Sequence, residues 1–478
     1  MPIDACPPLL NVLVTSKQKK LKNKGTFTKK LKLIMDCNPL SQFSQQLLAF
    51  FTQSVDEAEK ESALAPVRLR KCGDIIRSHD EDLAANGDLS LAATARYWQS
   101  FAKRQGLQLR LDTVVLMPGE EQREELIRQS KEWRFPLCRI TMLHKDRYGL
   151  HFQRSPVIAH VLKTVLGHGA DYGRSQKTEH SPTMCLRWQT GAGATDGSQE
   201  LRHYRQQELY KIVFRLVDYS PWRLVEAEDR KEDTLCVNVE AQKCCQVQPK
   251  DHVCLVSGPV VEPVKKTATA LMVDDYLELR STHMRLMALH RSGYRPPGMC
   301  NLNTLMKRLG AAAVTVDLFE VRHASAACVV RNGVGSSKGA SYILYNSARL
   351  ETLLRTFAAQ VNAGVYEPLP PLGEIDLSVL ADDMDWQLIY GYLLTFPELL
   401  ESLMDQVQQG QCGVHLLVHF IGNLASAFSR YYRHKKVLVQ KRDQLMPTLY
   451  ARIYLIMAVR QVLNVALSLL GIEPVDYV

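Results

Sequence analysis

Between Pro447 and Gly471 the chain reads PTLYARIYLIMAVRQVLNVALSLLG, a stretch that few folds can accommodate. Leu449, Ile453, Ile456, Leu463, Leu467 and Leu470 recur at helical steps and draw one face. A second row, Leu455, Val459, Val462, Ala466 and Leu469, covers most of the other side. A helix apolar nearly all round has to be enclosed by others, so the spacing predicts the centre of a helical bundle. Pro447 suits the first turn, and Gly471 suits the left-handed residue just past the end. Arg460 interrupts the first row between Ile456 and Leu463. Its guanidinium must therefore meet a carboxylate, a carbonyl or a ligand phosphate.

Charge narrows the partner. The formal net charge is +9, and it is localised. Lys17 to Lys32 holds eight lysines and no acid; Arg430 to Arg442 holds six basic residues (Arg430, Arg433, Lys435, Lys436, Lys441, Arg442) and no acid. These fourteen charges exceed the total, so the remainder is slightly acidic. Two concentrated basic stretches on such a body point to a polyanionic partner. A solvated tail and a solvated helix end are the plainer alternative.

The twelve cysteines are scattered, with only Cys244 and Cys245 adjacent and no C-x-x-C spacing. That usage fits reduced thiols in a reducing compartment. Cys236, Cys244, Cys245 and Cys254 lack zinc-ligand pair spacing, and no cofactor is expected. The longest apolar runs, at 9–14 and 453–470, are too short or too interrupted to span a bilayer. The Met1 end shows neither a charged leader nor a small-residue cleavage site. A cytoplasmic location is expected, with the nucleus as the alternative.

Four motifs now converge. Ser341-Tyr342-Ile343-Leu344-Tyr345-Asn346-Ser347-Ala348-Arg349 is similar to the Tyr-x-x-Tyr-x-x-x-Arg first helix of the DALR anticodon-binding domain of class I arginyl-tRNA synthetases. Phe396-Pro397-Glu398 and Phe428-Ser429-Arg430-Tyr431-Tyr432 resemble two further positions of that domain. Ala458, Val459 and Arg460 stand where its last helix carries Ala-Leu-Arg, and Leu469-Leu470-Gly471-Ile472 closes the helix. The resemblance implies an anticodon-binding helical bundle.

The rest of the chain divides around this bundle. Residues 1–40 read as a lysine-rich flexible arm, able to track RNA phosphates or to serve as a nuclear-import signal. Residues 41–170 form an N-terminal α/β region, with helical spacing at Phe43–Val55 and Ala92–Phe101 and a turn at Asn86-Gly87. Strand-like runs at Thr113–Met117 and Leu137–Leu143 flank the acidic helix Glu120–Trp133, and 150–154 leads into the helix Val157–Leu166. Residues 171–335 read as a synthetase-like α/β domain. Its first part, about 167–200, has loop or linker composition. Helices at His203–Val217 and Tyr276–His290 and strands at Leu235–Val239 and Val253–Ser257 follow, then a strand or helix at Ala311–Leu318. Gly333–Gly339 is a hinge into the bundle, residues 336–478. There Pro368–Pro371 and the acids Glu374, Asp376, Asp382, Asp383 and Asp385 separate the first helix from the rest. The expected class is α/β plus all-α: a degenerate class I synthetase-like body followed by a DALR-type bundle.

Catalytic signatures of that class are not found in the sequence. Its chemistry needs a His-Ile-Gly-His-type turn against the phosphates and a Lys-Met-Ser-Lys-Ser loop that neutralises pyrophosphate. Gly167-His168-Gly169 has one histidine and no strand-to-helix pattern. Lys265-Lys266-Thr267-Ala268 lacks the loop motif, and Ser336-Ser337-Lys338-Gly339 falls too late in the chain. Gly333–Gly339 is no P-loop, and His415 and His419 lack the intervening glutamate of a zinc protease. The expectation is a non-enzyme.

RNA contact is expected from rings beside cations. Tyr342, Tyr345 and Arg349 project from one helical face, where tyrosines can stack on splayed bases and arginine can hold a phosphate. Burial in the core is the competing reading for tyrosines at this spacing. Phe428 belongs to an inward row with Leu417, Ile421 and Leu424. Tyr431, Tyr432, Arg433, Lys435 and Lys436 follow, with Tyr432 and its cations the stronger pairing. Arg460 completes the set, and Tyr477 and Val478 would flank the same groove. The whole pattern most resembles the vertebrate family of DALR anticodon-binding domain-containing protein 3. That family implies a non-catalytic adaptor that binds arginine tRNA and brings it to a tRNA 3-methylcytidine methyltransferase. The alternatives are an aminoacylating arginyl-tRNA synthetase and a protein-only scaffold.

Overall fold

Asn38 starts the first helix by accepting the Ser41 N–H on its side-chain oxygen at 3.2 Å. We describe it in a computed structural model that covers residues 38–54, 73, 75–105, 107–109, 120–143, 147–179, 181–188, 199–241, 252–292, 299–329 and 339–474. The lysine run 17–32, Thr113–Met117, Cys244, Cys245, residues 333–338, Tyr477 and Val478 lie outside the described residues.

Helix α1 (Pro39–Phe51) turns Phe43 inward, where its ring meets Phe152 and Trp133 edge-on. Strand β1 (Thr52–Ser54) follows directly and pairs antiparallel with β4 (Leu107–Leu109). The main N-terminal sheet is antiparallel in the order β2-β3-β6-β5: β2 is Ile76–Ser78, β3 Leu89–Ala92, β5 Leu137–Leu143 and β6 Arg147–Phe152. Gly87, ahead of β3, has φ +80, and a Cβ there would lie 2.8 Å from the Leu150 backbone nitrogen. Only glycine suits that turn. Helices α2 (Ala95–Gln105), α3 (Glu120–Ser130) and α4 (Arg154–His168) complete this part.

The next sheet is parallel, in the order β10-β9-β7-β8: β7 is Thr183–Trp188, β8 Arg223–Leu224, β9 Leu235–Glu240 and β10 His252–Val256. Strand β7 lies inside the stretch read from composition as a loop or linker, and it pairs with both neighbours. The sequence hid it because only Met184 and Cys185 of its six residues are buried, too few to show a period. Helix α5 (Leu201–Tyr219) connects β7 to β8, as a parallel pair requires. Its Arg205 is fully buried, and its guanidinium donates to the carbonyls of Leu318, Gly258, Pro259, Ser325 and Arg322 at 2.7–3.3 Å. Burial lowers its pKa to about 10, and the ring of carbonyls supplies the partners a buried cation needs. Strands β11 (Val260–Val261) and β12 (Ala327–Cys328) pair in parallel beside it. Helices α6 (Val273–Ser292) and α7 (Met299–Phe319) pack along each other. The ambiguous run 311–318 is thus part of a helix.

The bundle holds α8 (Ala340–Asn362), the short α9 (Asp383–Leu388), α10 (Phe396–Gln408), α11 (Val414–His434) and α12 (Met446–Leu469). A π-helical stretch, Ile389–Leu394, carries the chain from α9 to α10. Both apolar rows of α12 are buried, including Leu449, Ile453, Ile456, Leu455, Val459 and Val462. By length and composition alone the segment Asp443–Leu469 could cross a membrane, although its interruptions suggested otherwise. Here that apolar surface is enclosed by α4, α8 and α11, with α5 and short turns of the same chain. Pro447 stands in the first turn. At the far end Gly471 has φ +73, its N–H donates to Ser468, and the Ile472 N–H donates to Leu467 at 3.0 Å, a Schellman closure. Arg215 of α5 lies over that glycine and donates to the Leu469 carbonyl at 3.4 Å. A cation at a helix C-terminus is favourable, and it ties body to bundle.

The N-terminal part is fastened to the bundle by buried polar contacts. Asp88 accepts the Phe152 N–H at 2.7 Å and the Trp386 indole N–H at 2.6 Å. The Tyr390 hydroxyl donates to the Asp88 carbonyl at 2.6 Å. Burial outweighs these donors and raises the Asp88 carboxyl to about 6. From Cys37 on the chain forms one compact unit, in which the antiparallel sheet gives way to the parallel one between β6 and β7.

Candidate nucleic-acid interface

Helix α8 places its residues by simple rotation. Tyr342, Tyr345 and Arg349, three and four apart, share a side, while Ile343, Leu344, Ala348 and Leu350 go into the core. Tyr342 is half-buried against that core. Tyr345 accepts from the Arg349 guanidinium through its hydroxyl. Arg349 also lies over the Tyr345 ring, 4.5 Å from its centroid.

The end of α11 supplies the other half. Successive helical residues differ by about 100°, so adjacent tyrosines part company. Tyr431 is fully buried; Tyr432 is 41 % exposed. The Tyr432 ring packs on Phe428 one turn earlier, and its face receives Arg349 at 4.7 Å. Arg349 is therefore held between two tyrosine rings from two helices. Tyr431, expected among the RNA-contacting residues, belongs to the core instead. Its hydroxyl faces Asp385, also buried; burial and the neighbouring carboxylate raise the phenol well above its usual range. Burial likewise raises the Asp385 carboxyl.

The cations beyond Tyr432 have different fates. Arg433 is exposed and donates to the Ser429 carbonyl at 3.3 Å; the His434 ring bonds to the Arg430 carbonyl at 2.9 Å. Both satisfy carbonyls at the helix end. The Lys435 N–H donates to the Tyr431 carbonyl as the helix stops, and its ammonium pairs with Asp382 at 2.6 Å. Lys435 is thus not the unpaired cation the charge run suggested. Lys436, Lys441 and Arg442 are exposed. Arg452, half-buried on α12, donates to the Lys436 carbonyl at 3.0 Å and holds this turn in place.

Arg460 meets a carboxylate, one of the three partners its position allowed. Its guanidinium pairs with Glu351 of α8 at 3.2 Å, with side-chain exposures of 25 % and 13 %. It stitches the last helix of the bundle to the first, away from the role of free RNA contact assigned to it. Of the nine expected residues, Tyr345, Arg349 and Tyr432 are joined in one stack. Arg433, Lys435 and Lys436 continue along the adjoining strip, and Tyr342, Tyr431 and Arg460 serve packing. Sequence reading missed Asp382 and Glu351 as partners. Asp382 stood in plain view in the acidic run, but nothing in one dimension paired it with Lys435, 53 residues away.

Elsewhere, the His415 and His419 rings lie 6.0 Å apart, edge to face. His415 lines a cavity of about 920 Å³ together with His323, Arg322 and the Gln406–Gln411 turn. Cys236 is buried, and the Cys254 thiol donates to Glu240 at 3.3 Å.

Comparison with known proteins fits this architecture. Residues 343–478 match the DALR anticodon binding domain family. The C-terminal part of this chain is a DALR anticodon-binding domain. The chain is 26 % identical over 224 residues to DALR anticodon-binding domain-containing protein 3 of Danio rerio, covering 45 % of this chain and 40 % of that protein. It is 30 % identical over 148 residues to the Mus musculus protein of the same name, 30 % of this chain and 27 % of that one. It spans well under half the length of these curated relatives. Arginine--tRNA ligase of Syntrophotalea carbinolica is 32 % identical over 133 residues, 28 % of this chain and 21 % of the ligase. Among solved structures, arginyl-tRNA synthetase of Thermus thermophilus superposes with a TM-score of 0.57 at 11 % identity, covering 88 % of this chain and 98 % of that one. The Plasmodium falciparum synthetase gives 0.55 at 9 %, covering 84 % and 95 %. These likenesses show the fold: a synthetase-like α/β body ending in a DALR helical bundle. The match takes in α8 from Ile343 and α9 to α12, and hence the whole tyrosine–arginine stack and its basic strip.

Proposed function

We propose that this protein is a non-catalytic tRNA-binding adaptor: its DALR domain recognises arginine tRNA and presents it to a tRNA 3-methylcytidine methyltransferase. The observation that carries the RNA reading is the Arg349 guanidinium seated between the rings of Tyr345 and Tyr432, next to exposed Arg433 and Lys436. Single-stranded loops are bound by such means: a ring offers a sequence-tolerant face, and neighbouring cations track the phosphates. Prior stacking against Arg349 reduces the rotamer entropy lost when a base docks on Tyr432. The names of the relatives, an anticodon-binding domain among them, support tRNA as the RNA. The adaptor role and its methyltransferase follow from the family resemblance, and a cytoplasmic site of action belongs to the same reading. Filter binding with purified full-length chain tests the first step: arginine tRNAs should be retained over other tRNAs. Pull-down from cell extract, with identification of bound RNA and protein, tests the second.

A second reading is aminoacylation, favoured by the extent of the structural likeness to arginyl-tRNA synthetases. Arginine-dependent ATP–pyrophosphate exchange by the purified chain would establish it and displace the first.

A further inference from the structure

We propose that Asp382 is a built-in competitor for the RNA backbone, occupying on Lys435 the place that a phosphate would take; this rests on the tRNA-binding reading above. The two oxygens of Asp382 have separate tasks. Oδ1 accepts the Met384 N–H at 2.9 Å and caps α9; Oδ2 holds the Lys435 ammonium at 2.6 Å. Both contacts, the lysine first, keep the carboxyl below its ordinary range, so it is ionised throughout the neutral region. The neighbouring Asp383 points elsewhere and pairs with Arg154 at 2.6 Å. Lys435 stands three residues beyond the Tyr432 ring, inside the strip that would follow the phosphates.

Its side chain is 21 % exposed and that of Asp382 is 42 %, so the pair sits at the surface. Such pairs are weakly held and exchange readily for another anion. Arg452 acts on the same carboxylate, and the α9 N-terminus favours it too, so Asp382 keeps favourable surroundings once Lys435 leaves. The consequence is specific. A lysine neutralised by Asp382 neutralises no phosphate and contributes nothing to counterion release. RNA must first displace the aspartate, which tempers affinity and favours closely spaced phosphates over diffuse negative charge.

Asp382→Asn isolates the effect, because asparagine caps a helix as well as aspartate and turns an amide N–H toward Lys435. The test is filter binding of an arginine tRNA transcript to full-length wild-type, D382N, D383N, K435Q and D382N/K435Q proteins, from about 50 to 300 mM salt. For D382N we expect about three- to fivefold tighter binding at the low-salt end, the effect of one unit charge removed near a phosphate in water. Its log–log salt slope should steepen by about one. D383N should change less than D382N, and D382N/K435Q should bind no tighter than K435Q alone. Equal affinity and slope for D382N and wild type would overturn the inference while leaving tRNA binding intact; so would an equal gain in D383N. Failure of every protein to bind any tRNA would overturn the binding reading and this inference with it.

Discussion

Arg349 of the first bundle helix lies 4.7 Å from the centre of the Tyr432 ring near the end of α11, and 4.5 Å from that of Tyr345. Two residues 83 positions apart (432 − 349) on two helices thereby share one cation–ring contact. A stack assembled from two elements is as rigid as their packing, and the α8–α11 contact lies within the bundle core.

Tyr432→Ala should weaken tRNA binding by about 1–3 kcal/mol, the usual cost of losing one base-stacking ring. The melting temperature should stay close to wild type, because the ring is a surface one. Filter binding beside thermal denaturation checks both. Equal affinity would place the RNA elsewhere.

Tyr431→Ala should do the reverse. Emptying a fully buried aromatic site costs about 3–5 kcal/mol and leaves Asp385 more poorly surrounded. Chemical denaturation should show that loss, while the fraction still folded binds tRNA as before.

Lys436→Glu should flatten the log–log salt dependence of tRNA binding by about one unit, and Lys435→Glu with Lys436→Glu by about one to two. The smaller value is the one expected if Asp382 already silences Lys435. A slope unchanged by the double substitution would mean that the strip faces solvent idly.

Arg460→Ala should destabilise the bundle by about 2–3 kcal/mol, since it leaves the mostly buried Glu351 without its guanidinium. The affinity of folded protein for tRNA should not change. A binding defect in a stably folded R460A protein would restore this arginine to the interface.

Asp88 sets a pH dependence. Its folded pKa is raised to about 6 from an ordinary 3.8, so between those values the folded protein holds a proton that the unfolded chain has released. Its contribution is therefore most favourable below about pH 4 and is lost as pH rises toward about 6, then stays flat. The stability of wild type relative to Asp88→Asn should fall across that window by about 2–3 kcal/mol, given about 1.4 kcal/mol per pKa unit. A pH-independent difference would show that the carboxyl ionises normally.

Much of the bundle was legible in one dimension because its helices bury continuous stripes. The two apolar rows of α12, Pro447 at its start and Gly471 past its end can each be read from local rules of period and turn. So can β5, β9 and β10, whose apolar runs stand between polar turns. Strand β7 could not be read, because its strand character comes from pairing on both sides rather than from a pattern of its own.

The motif residues were likewise visible as a set, and so was the demand that Arg460 find an anion. What the sequence determined by itself was the kind of surface: tyrosines and cations gathered at the ends of two helices, with a central helix that had to be enclosed. Only the tertiary structure decided which of them face out. Tyr431 and Tyr432 are chemically identical neighbours, and a rotation of about 100° against α9 sends one to Asp385 and the other to Arg349. Lys435 and Arg460 were drawn to Asp382 and Glu351. Electrostatic partners are chosen by distance in space, and no period along the chain encodes that.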